Sequence, residues 1–531
     1  MKAGVYSGMG SFPWRGVPWA NRSHRLAPGL TLPGFAAFLL LLLSANIGRA
    51  EPKPVLYIPS RILPPAPHRE FRAGWVASVA NIDWPSKPGL PVATQKAELI
   101  ALLDRAAELR LNAIVFQVRP ACDALYASKL EPWSPYLTGV MGKPPEPFYD
   151  PLAFAVAEAH QRGLELHAWF NPYRALHPSS KVPLSPNHIS RTHPELVREY
   201  GEFLWLDPGE RAVQDYSLRV VMDVVKRYDI DGVHFDDYFY PYKVKDAQNQ
   251  KVDFPDAASW KRYGASGSLS REDWRRDNVN RFVERVYQAI KATKPWVKFG
   301  ISPFGIWQPG HPAQIVGLNS YEELYCDSRK WLMNGWVDYC TPQLYWSVQK
   351  PETSYPALLK WWTEQNPLGR HLWPGLNSGN VGGKWTAGEI VNQIRITRDQ
   401  SADSGHIHWS MKSLLQNRGS LASTLKSDLY SEPALVPASP WLERGTPGEP
   451  RLAFRGQDRF TWSATGKADP WLWVLQAKSG ADWTTTILPG DARTQTFAHL
   501  PDSLALTAVD RCGVAGHPVV LDRSRVARSA N

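Results

Sequence analysis

Eight short apolar runs, separated by segments of helical pattern, constrain the fold of this chain more than any other feature. They are RAGWVASV (72–79), NAIVFQV (112–118), LELHAWF (164–170), DGVHFDD (231–237), VKFGISPF (297–304), VDYCTPQLYW (337–346), HLWPGLN (371–377) and GHIHWSM (405–411). Apolar runs of this length, bounded by Gly, Pro and Asp, are typical of buried β-strands. The pattern therefore predicts eight strands.

Helical start and stop signals lie between these runs. The segment after the second run begins with Asp150 and Pro151 and ends at Gly163, which are typical cap, first-turn and stop residues. Ser270 and Asp273 have the spacing of a capping box. Alternating strands and helices predict a parallel sheet, and eight such pairs fit a closed (β/α)8 TIM barrel, typically of about 250 residues. We expect the additional residues in the loops after strands two to five.

The barrel is predicted to cover residues 70–430, with different segments on either side. Residues 51–69 are rich in proline and are expected to form an extended connector. A Pro-rich linker follows the barrel at 431–450. The short alternating segments at 451–525, which Gly and Pro turns separate, predict a small all-β sandwich of immunoglobulin or fibronectin type.

Residues 1–50 have the organisation of a secretory signal peptide. A basic leader precedes the apolar run GFAAFLLLLLSANIG, and the small residue Ala50 follows before Glu51. A membrane-spanning helix needs about 20 apolar residues, so a signal removed near Ala50 is the better interpretation. An uncleaved segment that anchors the protein to a membrane is the alternative. Either way the protein is expected to be exported.

Charge and cysteine content exclude some partners and leave the thiol state open. The leader contains five basic residues and no acidic one, so its removal leaves 55 basic against 50 acidic side chains and lowers the formal net charge from +10 to +5. No cluster of Lys and Arg indicates nucleic-acid binding. Disulfides and free thiols are both consistent with the four cysteines, Cys122, Cys326, Cys340 and Cys512.

No metal or cofactor site is predicted. His406 and His408 alternate on the eighth strand, but no third ligand has suitable spacing and HExxH is absent from the sequence. A GxSxG elbow, a Walker loop and a GxGxxG turn after a strand are also absent from the sequence. We therefore expect chemistry that depends on side chains alone.

Carboxylates follow only some of the predicted strands. Catalytic groups of a (β/α)8 barrel gather at the C-terminal ends of its strands. Successive strand residues point to opposite faces, so Asp236 is predicted to project into the barrel mouth if Val233 and Phe235 face the helices. Asp237 is then expected to point the other way and to orient a neighbour or a loop, unless the strand ends one residue early, and it is named with Asp236 as a catalytic candidate. Glycoside hydrolysis requires a second carboxylate, for which Asp123 and Glu131 after strand two are both candidates.

Aromatic and amide side chains at the strand ends suggest a sugar-binding surface. The chain contains 24 tryptophans, whose flat faces suit the C–H faces of sugar rings. Amide and guanidinium groups could hydrogen-bond hydroxyl or acetamido groups. The predicted substrate-binding side chains are Arg119, Trp169, Asn171, Arg174, His234, Tyr238, Gln343, Tyr345, Trp346 and Trp409.

Seven sequence blocks, found in the same order, resemble the glycosyl hydrolase-like 10 family of bacterial exported proteins. They are REFRAGWVASV, QVRPACDALYASKLEPWSPYLTG, HAWFNPYR, FLWLDPG, DGVHFDDYFYPY, GISPFGIW and DYCTPQLYW. The similarity spans about residues 69–430, and so many blocks make it specific. The resemblance implies a TIM barrel followed by a β-sandwich domain, in the periplasm or cell envelope.

The resemblance also implies an activity, partners and site residues. The expected activity is cleavage of peptidoglycan glycan strands that carry no peptides, and envelope or division proteins are expected to bind the C-terminal domain. The family's acidic motif falls on Asp236 and Asp237, and its polar blocks fall on Arg119, Asp123, Asn171, Arg174 and Gln343. The chain departs from the family in two respects: no cysteine follows the leader to carry a lipid, and Cys122 stands where glycine is expected.

Two other functions remain open at this point. The same barrel could hydrolyse a secreted exopolysaccharide. A non-catalytic protein that binds cell-wall glycan, in which the acids only hydrogen-bond sugar, belongs to a different class. The sequence does not rank Asp123 against Glu131, and it does not reveal whether a reaction would retain or invert the anomeric configuration.

Overall fold

The computed structural model describes residues 55–401, 403–442, 445–466 and 469–524. The predicted signal peptide at 1–50 lies outside the described residues. Among the helices of the described ranges, none combines the length and the apolar character that a membrane crossing requires.

The predicted (β/α)8 barrel is confirmed. Its strands, numbered here in chain order, are β1 (Phe71–Val76), β2 (Ala113–Arg119), β3 (Glu165–Phe170), β4 (Gly232–Phe235), β5 (Lys298–Ile301), β6 (Tyr339–Cys340), β7 (His371–Leu372 and Gly375–Leu376) and β8 (Gly405–His408). Neighbouring strands are parallel. The first piece of β7 pairs with β6 and the second with β8, and β8 pairs with β1, so the sheet closes.

Helices surround the barrel and begin where the sequence signals them. The Asp150 side chain accepts a hydrogen bond from the N–H of Ala153, and Ser270 caps the following helix through the N–H of Asp273. The longer helices are Val92–Glu108, Pro151–His160, Arg211–Arg227, Arg271–Thr293, Tyr355–Glu364 and Ala387–Gln400. Shorter ones are Pro135–Thr138, Ile189–Thr192, Ala257–Tyr263, Ser320–Glu323, Ser328–Met333, Met411–Leu415 and Leu421–Ser427.

Strand alternation divides the barrel residues between two apolar cores. Val233 and Phe235 belong to the large outer core between the sheet and the helices. The barrel interior is filled by a separate cluster that is rich in aromatic rings, including Phe71, Trp75, Trp169, Tyr339 and Trp373. The barrel is therefore a packed core and not a pore, as is usual for this fold.

The predicted all-β sandwich is also confirmed. One antiparallel sheet contains strands Arg451–Phe454, Arg459–Ser463 and Thr494–Thr496. The other contains Tyr57–Ser60, Val519–Arg523, Ser503–Val509, Leu472–Ser479 and Asp482–Pro489. Buried Phe460 and Trp462 from the first sheet and Trp473 and Leu504 from the second share one apolar cluster. The first of these five strands comes from the segment expected to be a connector, and it pairs with Val519–Arg523.

The sandwich packs against the N-terminal end of the barrel. Arg511 forms two hydrogen bonds of 2.6 Å with Asp229, which lies just before β4. Trp471 packs edge-on against the His160 ring, with 4.6 Å between ring centroids. The opposite end of the barrel, where the strands finish, is covered by its own long loops. The loop after β3 contains a small antiparallel sheet of strands Arg174–Leu176, Val197–Tyr200 and Phe203–Leu206.

Each of the four cysteines, all within the described ranges, is a buried free thiol. Cys122, which replaces an expected glycine, has a backbone φ of 51°. Left-handed backbone of this kind favours glycine. The loop therefore keeps the conformation that a glycine would allow, and the Cys122 sulfur lies 3.2 Å from Arg119 Nη2.

Candidate active site at the C-terminal end of the barrel

Asp236 lies one residue beyond the end of β4, where the strands finish. Its side chain is 6 % exposed. Oδ2 accepts a hydrogen bond of 2.5 Å from Asn171 Nδ2, which follows β3, and Oδ1 accepts one of 3.3 Å from the backbone N–H of Tyr238. The carboxyl group is therefore held between the ends of two neighbouring strands.

Strand alternation predicted that Asp237 points away from the barrel mouth, but in the structure it does not. Its carboxylate accepts hydrogen bonds from the Tyr242 hydroxyl and, at 3.3 Å, from Gln343 Nε2, which lies beyond β6. The same Gln343 nitrogen also donates to the carbonyl of Ser302, at the end of β5. Because β4 ends at Phe235, the alternation no longer applies at 237, and both carboxyl groups lie near the strand ends.

Burial makes the two carboxyl groups harder to ionise. Burial, together with the neighbouring charge of Asp237, raises the pKa of Asp236 to about 7, although Arg174 and the donors from Asn171 and Tyr238 oppose the rise. Burial also raises the pKa of Asp237, against the stabilising donors Tyr242 and Gln343. Two interacting acids share their protons as a pair. This pair can hold one proton close to neutral pH, as a general acid requires.

Asn171 is fixed in one orientation by three donors. Its Oδ1 accepts hydrogen bonds of 2.7 Å from Gln117 Nε2 and 2.6 Å from Arg174 Nη2, so its Nδ2 must face Asp236. Its backbone carbonyl accepts a hydrogen bond of 2.6 Å from Arg119 Nη1. Asn171 and Arg174 are 0 % and 3 % exposed. Both therefore position the acid, and neither presents a large surface to solvent.

The Gln117 side chain was not identified from the sequence. It lies within β2 and its Oε1 accepts hydrogen bonds from the backbone N–H groups of Ser78 and Val79. Its position as a polar residue inside the otherwise apolar run NAIVFQV could have identified it as a candidate site residue. Tyr242 was also missed, although it ends the block that contains both aspartates.

Glu131 and Arg119 form a buried ion pair. Arg119 Nε lies 3.0 and 2.8 Å from the two carboxylate oxygens, and Nη2 also donates to Oε1. Tyr216 donates a further hydrogen bond of 3.0 Å. Both oxygens of Glu131 are thus engaged, and its partner Arg119 is 1 % exposed and holds the Asn171 carbonyl. The geometry gives the pair a positioning role, in place of the acid and substrate-binding roles expected for its members.

Asp123 lies in the same loop and is 1 % exposed. Its Oδ1 accepts a hydrogen bond of 2.9 Å from the N–H of Ala121. Burial raises the pKa of this carboxyl group to about 6. The structure therefore places Asp123 inside the loop after β2, hydrogen-bonded to its own backbone.

Partly exposed aromatic rings follow several strand ends of the barrel. Trp409 is partly exposed and packs edge-on against Trp75 and Trp169, with centroid distances of 6.0 and 6.1 Å. Trp169 is two residues before Asn171 on β3, so it lies one layer below the acid. Tyr345 and Trp346 are also partly exposed. Tyr238 is partly exposed as well, and the Arg174 guanidinium lies 5.1 Å from its ring centre.

His234 is placed differently from the sequence prediction. It is 0 % exposed, inside the barrel. Its Nε2 lies 3.2 Å from Trp75 Nε1 and its Nδ1 lies 3.0 Å from the Tyr339 hydroxyl. Both ring nitrogens are used within the core, so the predicted substrate contact of His234 is corrected to an internal one.

His406 and His408 are likewise buried inside the protein, where His406 Nδ1 has no hydrogen-bond partner. Both contact the Tyr430 hydroxyl through Nε2, and His408 Nδ1 lies 2.7 Å from Ser378 Oγ. In the part of the chain that the structure describes, no group of three or more His, Cys, Asp or Glu side chains could hold a metal ion.

Comparison with known proteins finds relatives that are named glycosyl hydrolases. Glycosyl hydrolase YngK of Bacillus subtilis (strain 168) is 44% identical over 405 residues, which is 74% of this chain and 78% of that protein. Glycosyl hydrolase DigH of Escherichia coli (strain K12) is 35% identical over 368 residues, 65% of this chain and 82% of that protein. Among solved structures, the glycoside hydrolase domain of PgaB (BpsB) from Bordetella bronchiseptica has 12% identity and a TM-score of 0.46, covering 68% of this chain and 98% of its own.

The model of the Glycosyl hydrolase-like 10 family matches residues 70–387, which include every strand of the barrel except β8 and both carboxylates that follow β4. With the barrel and the acidic pair at its mouth, this match identifies the chain as a member of the glycosyl hydrolase-like 10 family.

Proposed function

We propose that the protein is an exported glycoside hydrolase that cleaves peptidoglycan glycan strands, preferentially strands without peptides. One observation carries the proposal. Asp236 is a buried carboxyl group at the barrel mouth, hydrogen-bonded to Asn171 and beside the charge of Asp237, so that its pKa rises to about 7. A carboxylic acid that stays protonated near neutral pH is the group that a glycosidase uses to protonate its leaving oxygen.

In this proposal Asp236 gives its proton to the glycosidic oxygen as the bond to the anomeric carbon breaks. Positive charge then develops on the sugar ring. Asp237, which Tyr242 and Gln343 hold as a hydrogen-bond acceptor, stabilises that charge. Asn171 and Arg174 keep Asp236 in place, so no side chain has to reorganise during the step.

The polymer is proposed from three features. The leader at 1–50 supports delivery to the compartment that contains peptidoglycan. The partly exposed rings of Trp409, Tyr345 and Trp346 suit stacking with sugar rings. The family relatives bear the name glycosyl hydrolase. Binding of envelope or division proteins to the β-sandwich domain is part of the same proposal.

Digestion of purified, peptide-free glycan strands tests the proposal. Wild type should release new reducing ends, while Asp236→Asn should release them at least about 100-fold more slowly, because the acid is lost. Asp223→Asn is a matched control, since Asp223 is a partly exposed helix residue paired with Arg227. It should retain wild-type activity.

Each other outcome assigns a different function. Binding of the strands without release of reducing ends would favour a glycan-binding protein. Inactivity on these strands with cleavage of poly-N-acetylglucosamine would favour an exopolysaccharide hydrolase. Undiminished turnover by Asp236→Asn would refute the assignment of the acid.

A further inference from the structure

Asp236 and Asp237 are consecutive residues, which restricts the mechanism. A retaining enzyme with its own nucleophile needs two carboxyl groups about 5–5.5 Å apart on opposite sides of the scissile bond, and an inverting enzyme needs about 6.5–9.5 Å with room for water. Because both residues follow the end of β4, their carboxyl groups approach a sugar in the barrel mouth from the side of that strand. Asp237 is therefore not placed to attack the anomeric carbon from the side opposite Asp236.

The other buried carboxylates that follow strands β1 and β2 are engaged elsewhere. Both Glu131 oxygens are bound by Arg119. Asp83, after β1, accepts hydrogen bonds from Ser410 Oγ at 2.6 Å and from the backbone N–H groups of Lys412 and Ala77 at 2.9 Å. Asp123 is 1 % exposed and bonded within its loop. Glu131 and Asp83 therefore have no oxygen left for a sugar, and the one oxygen without a hydrogen-bond partner, Asp123 Oδ2, is buried inside the loop after β2.

We propose, on the basis of the proposed function, that the attacking group belongs to the substrate. The carbonyl oxygen of a 2-acetamido group attacks the anomeric carbon while Asp236 protonates the leaving oxygen, and Asp237 accepts a hydrogen bond from the acetamido N–H. The required substrate is a glycan with a 2-acetamido-2-deoxy sugar on the non-reducing side of the cleaved bond. Asp237 is thereby assigned as a second catalytic residue.

The contacts of Asp237 fit this role. Its oxygens accept from two neutral donors, the Tyr242 hydroxyl and the Gln343 amide, which oppose the rise in the Asp237 pKa that burial causes. An ionised carboxylate is a strong acceptor for an amide N–H. Trp169, two residues before Asn171, packs against the partly exposed Trp409, and the two rings offer an apolar surface for the acetamido methyl group.

The atoms balance in two steps. In the first, the bond between the anomeric carbon and the leaving oxygen breaks, the Asp236 proton moves to that oxygen, and the carbonyl oxygen bonds to the anomeric carbon as a cyclic oxazolinium ion. In the second, water attacks the anomeric carbon, its proton moves to Asp236, and the carbonyl oxygen leaves. The acetamido group and the protonated acid are restored, and the anomeric configuration is retained.

Variation of the N-acyl group tests this inference. Peptide-free strands are de-N-acetylated and then re-acylated with acetyl, fluoroacetyl or trifluoroacetyl groups. Fluorine withdraws electrons from the carbonyl oxygen, so kcat of the wild-type protein should fall with each fluorinated acyl group. NMR of the newly released ends should show retained configuration. Asp237→Asn should lower kcat by about 100-fold with a smaller change in KM, and Asp123→Asn should remain active.

The failure of this inference can be told apart from the failure of the proposed function. Equal rates of cleavage for acetylated and trifluoroacetylated strands would overturn attack by the acetamido group, while the proposed hydrolysis of the strands would still hold. Inverted anomeric configuration in the product would also overturn attack by the acetamido group. So would an inactive Asp123→Asn variant together with a wild-type kcat that does not depend on fluorine, because this result would point to Asp123 as a protein nucleophile. If the wild-type protein released no reducing ends from the re-acetylated strands, the proposed function itself would be refuted, and this inference with it.

Discussion

Asn171 and Asp236, which follow the neighbouring strands β3 and β4, are joined by a 2.5 Å hydrogen bond from Asn171 Nδ2 to Asp236 Oδ2. Because Gln117 and Arg174 occupy the Asn171 carbonyl oxygen, only the amide nitrogen can face the acid. The orientation of Asp236 is thus decided by residues of two neighbouring strands, Gln117 within β2 and Asn171 and Arg174 after β3.

Asn171→Ala is expected to misplace Asp236 and to raise its pKa, because the hydrogen bond from Asn171 lowers that pKa in the wild type. We expect kcat to fall by about 100-fold, as loss of positioning can cause. A general acid works while it is protonated, so the alkaline limb of the pH profile should move to higher pH. Asn187→Ala, in an exposed loop, is the control. A lower kcat with the alkaline limb of the pH profile at its wild-type position would show that Asn171 has a structural role only.

Wild-type activity is expected to decrease as the pH rises through about 7, where Asp236 loses its proton. Asp237→Asn removes the neighbouring negative charge that raises this pKa. The pKa of Asp236 should then fall, which is opposite to the effect of Asn171→Ala. Titration of 13C-labelled aspartate by NMR measures this shift without requiring turnover. An unchanged or higher pKa in Asp237→Asn would contradict electrostatic coupling of the pair.

Asp236→Asn is expected to stabilise the fold at pH 8. A folded-state pKa raised from 3.8 to about 7 means that the free energy of unfolding decreases as the pH rises between these values. Asparagine mimics the protonated form, so the variant should gain on the order of 1–3 kcal/mol at pH 8. The gain should disappear near pH 4, where the wild-type acid is protonated when folded. Thermal unfolding at both pH values provides the measurement, and equal stability at pH 8 would contradict the raised pKa.

Glu131→Gln is expected to destabilise the protein. It leaves Arg119 buried without its charge partner, which typically costs about 3–5 kcal/mol. Glu108→Gln is the matched control because it breaks only surface pairs, with Arg105 and Lys426, each worth less than about 1 kcal/mol. Urea unfolding measures both variants. Unchanged stability together with a loss of kcat would instead indicate that Glu131 is the catalytic acid.

Loop residues mark the limit of the sequence prediction. Asp236, Asn171 and Gln343 could be grouped in advance, because each follows a strand and the C-terminal ends of barrel strands converge. The pairing of Glu131 with Arg119 could not be predicted, because the 11 intervening loop residues have no periodicity that reveals where the chain folds back. His234 was misassigned because alternation shows that it faces the barrel interior, but not how deep it lies.

By itself, the sequence determined the barrel, the sandwich and the strand end that holds the acids, because apolar periodicity and helix caps are local properties of the chain. Only the tertiary structure decided which groups surround each carboxyl group. Asp236 meets Asn171 across 65 positions of sequence, and Asp237 meets Gln343 across 106. Hydrogen-bond partners so distant depend on the closure of the whole barrel, and their burial sets the pKa of the acid.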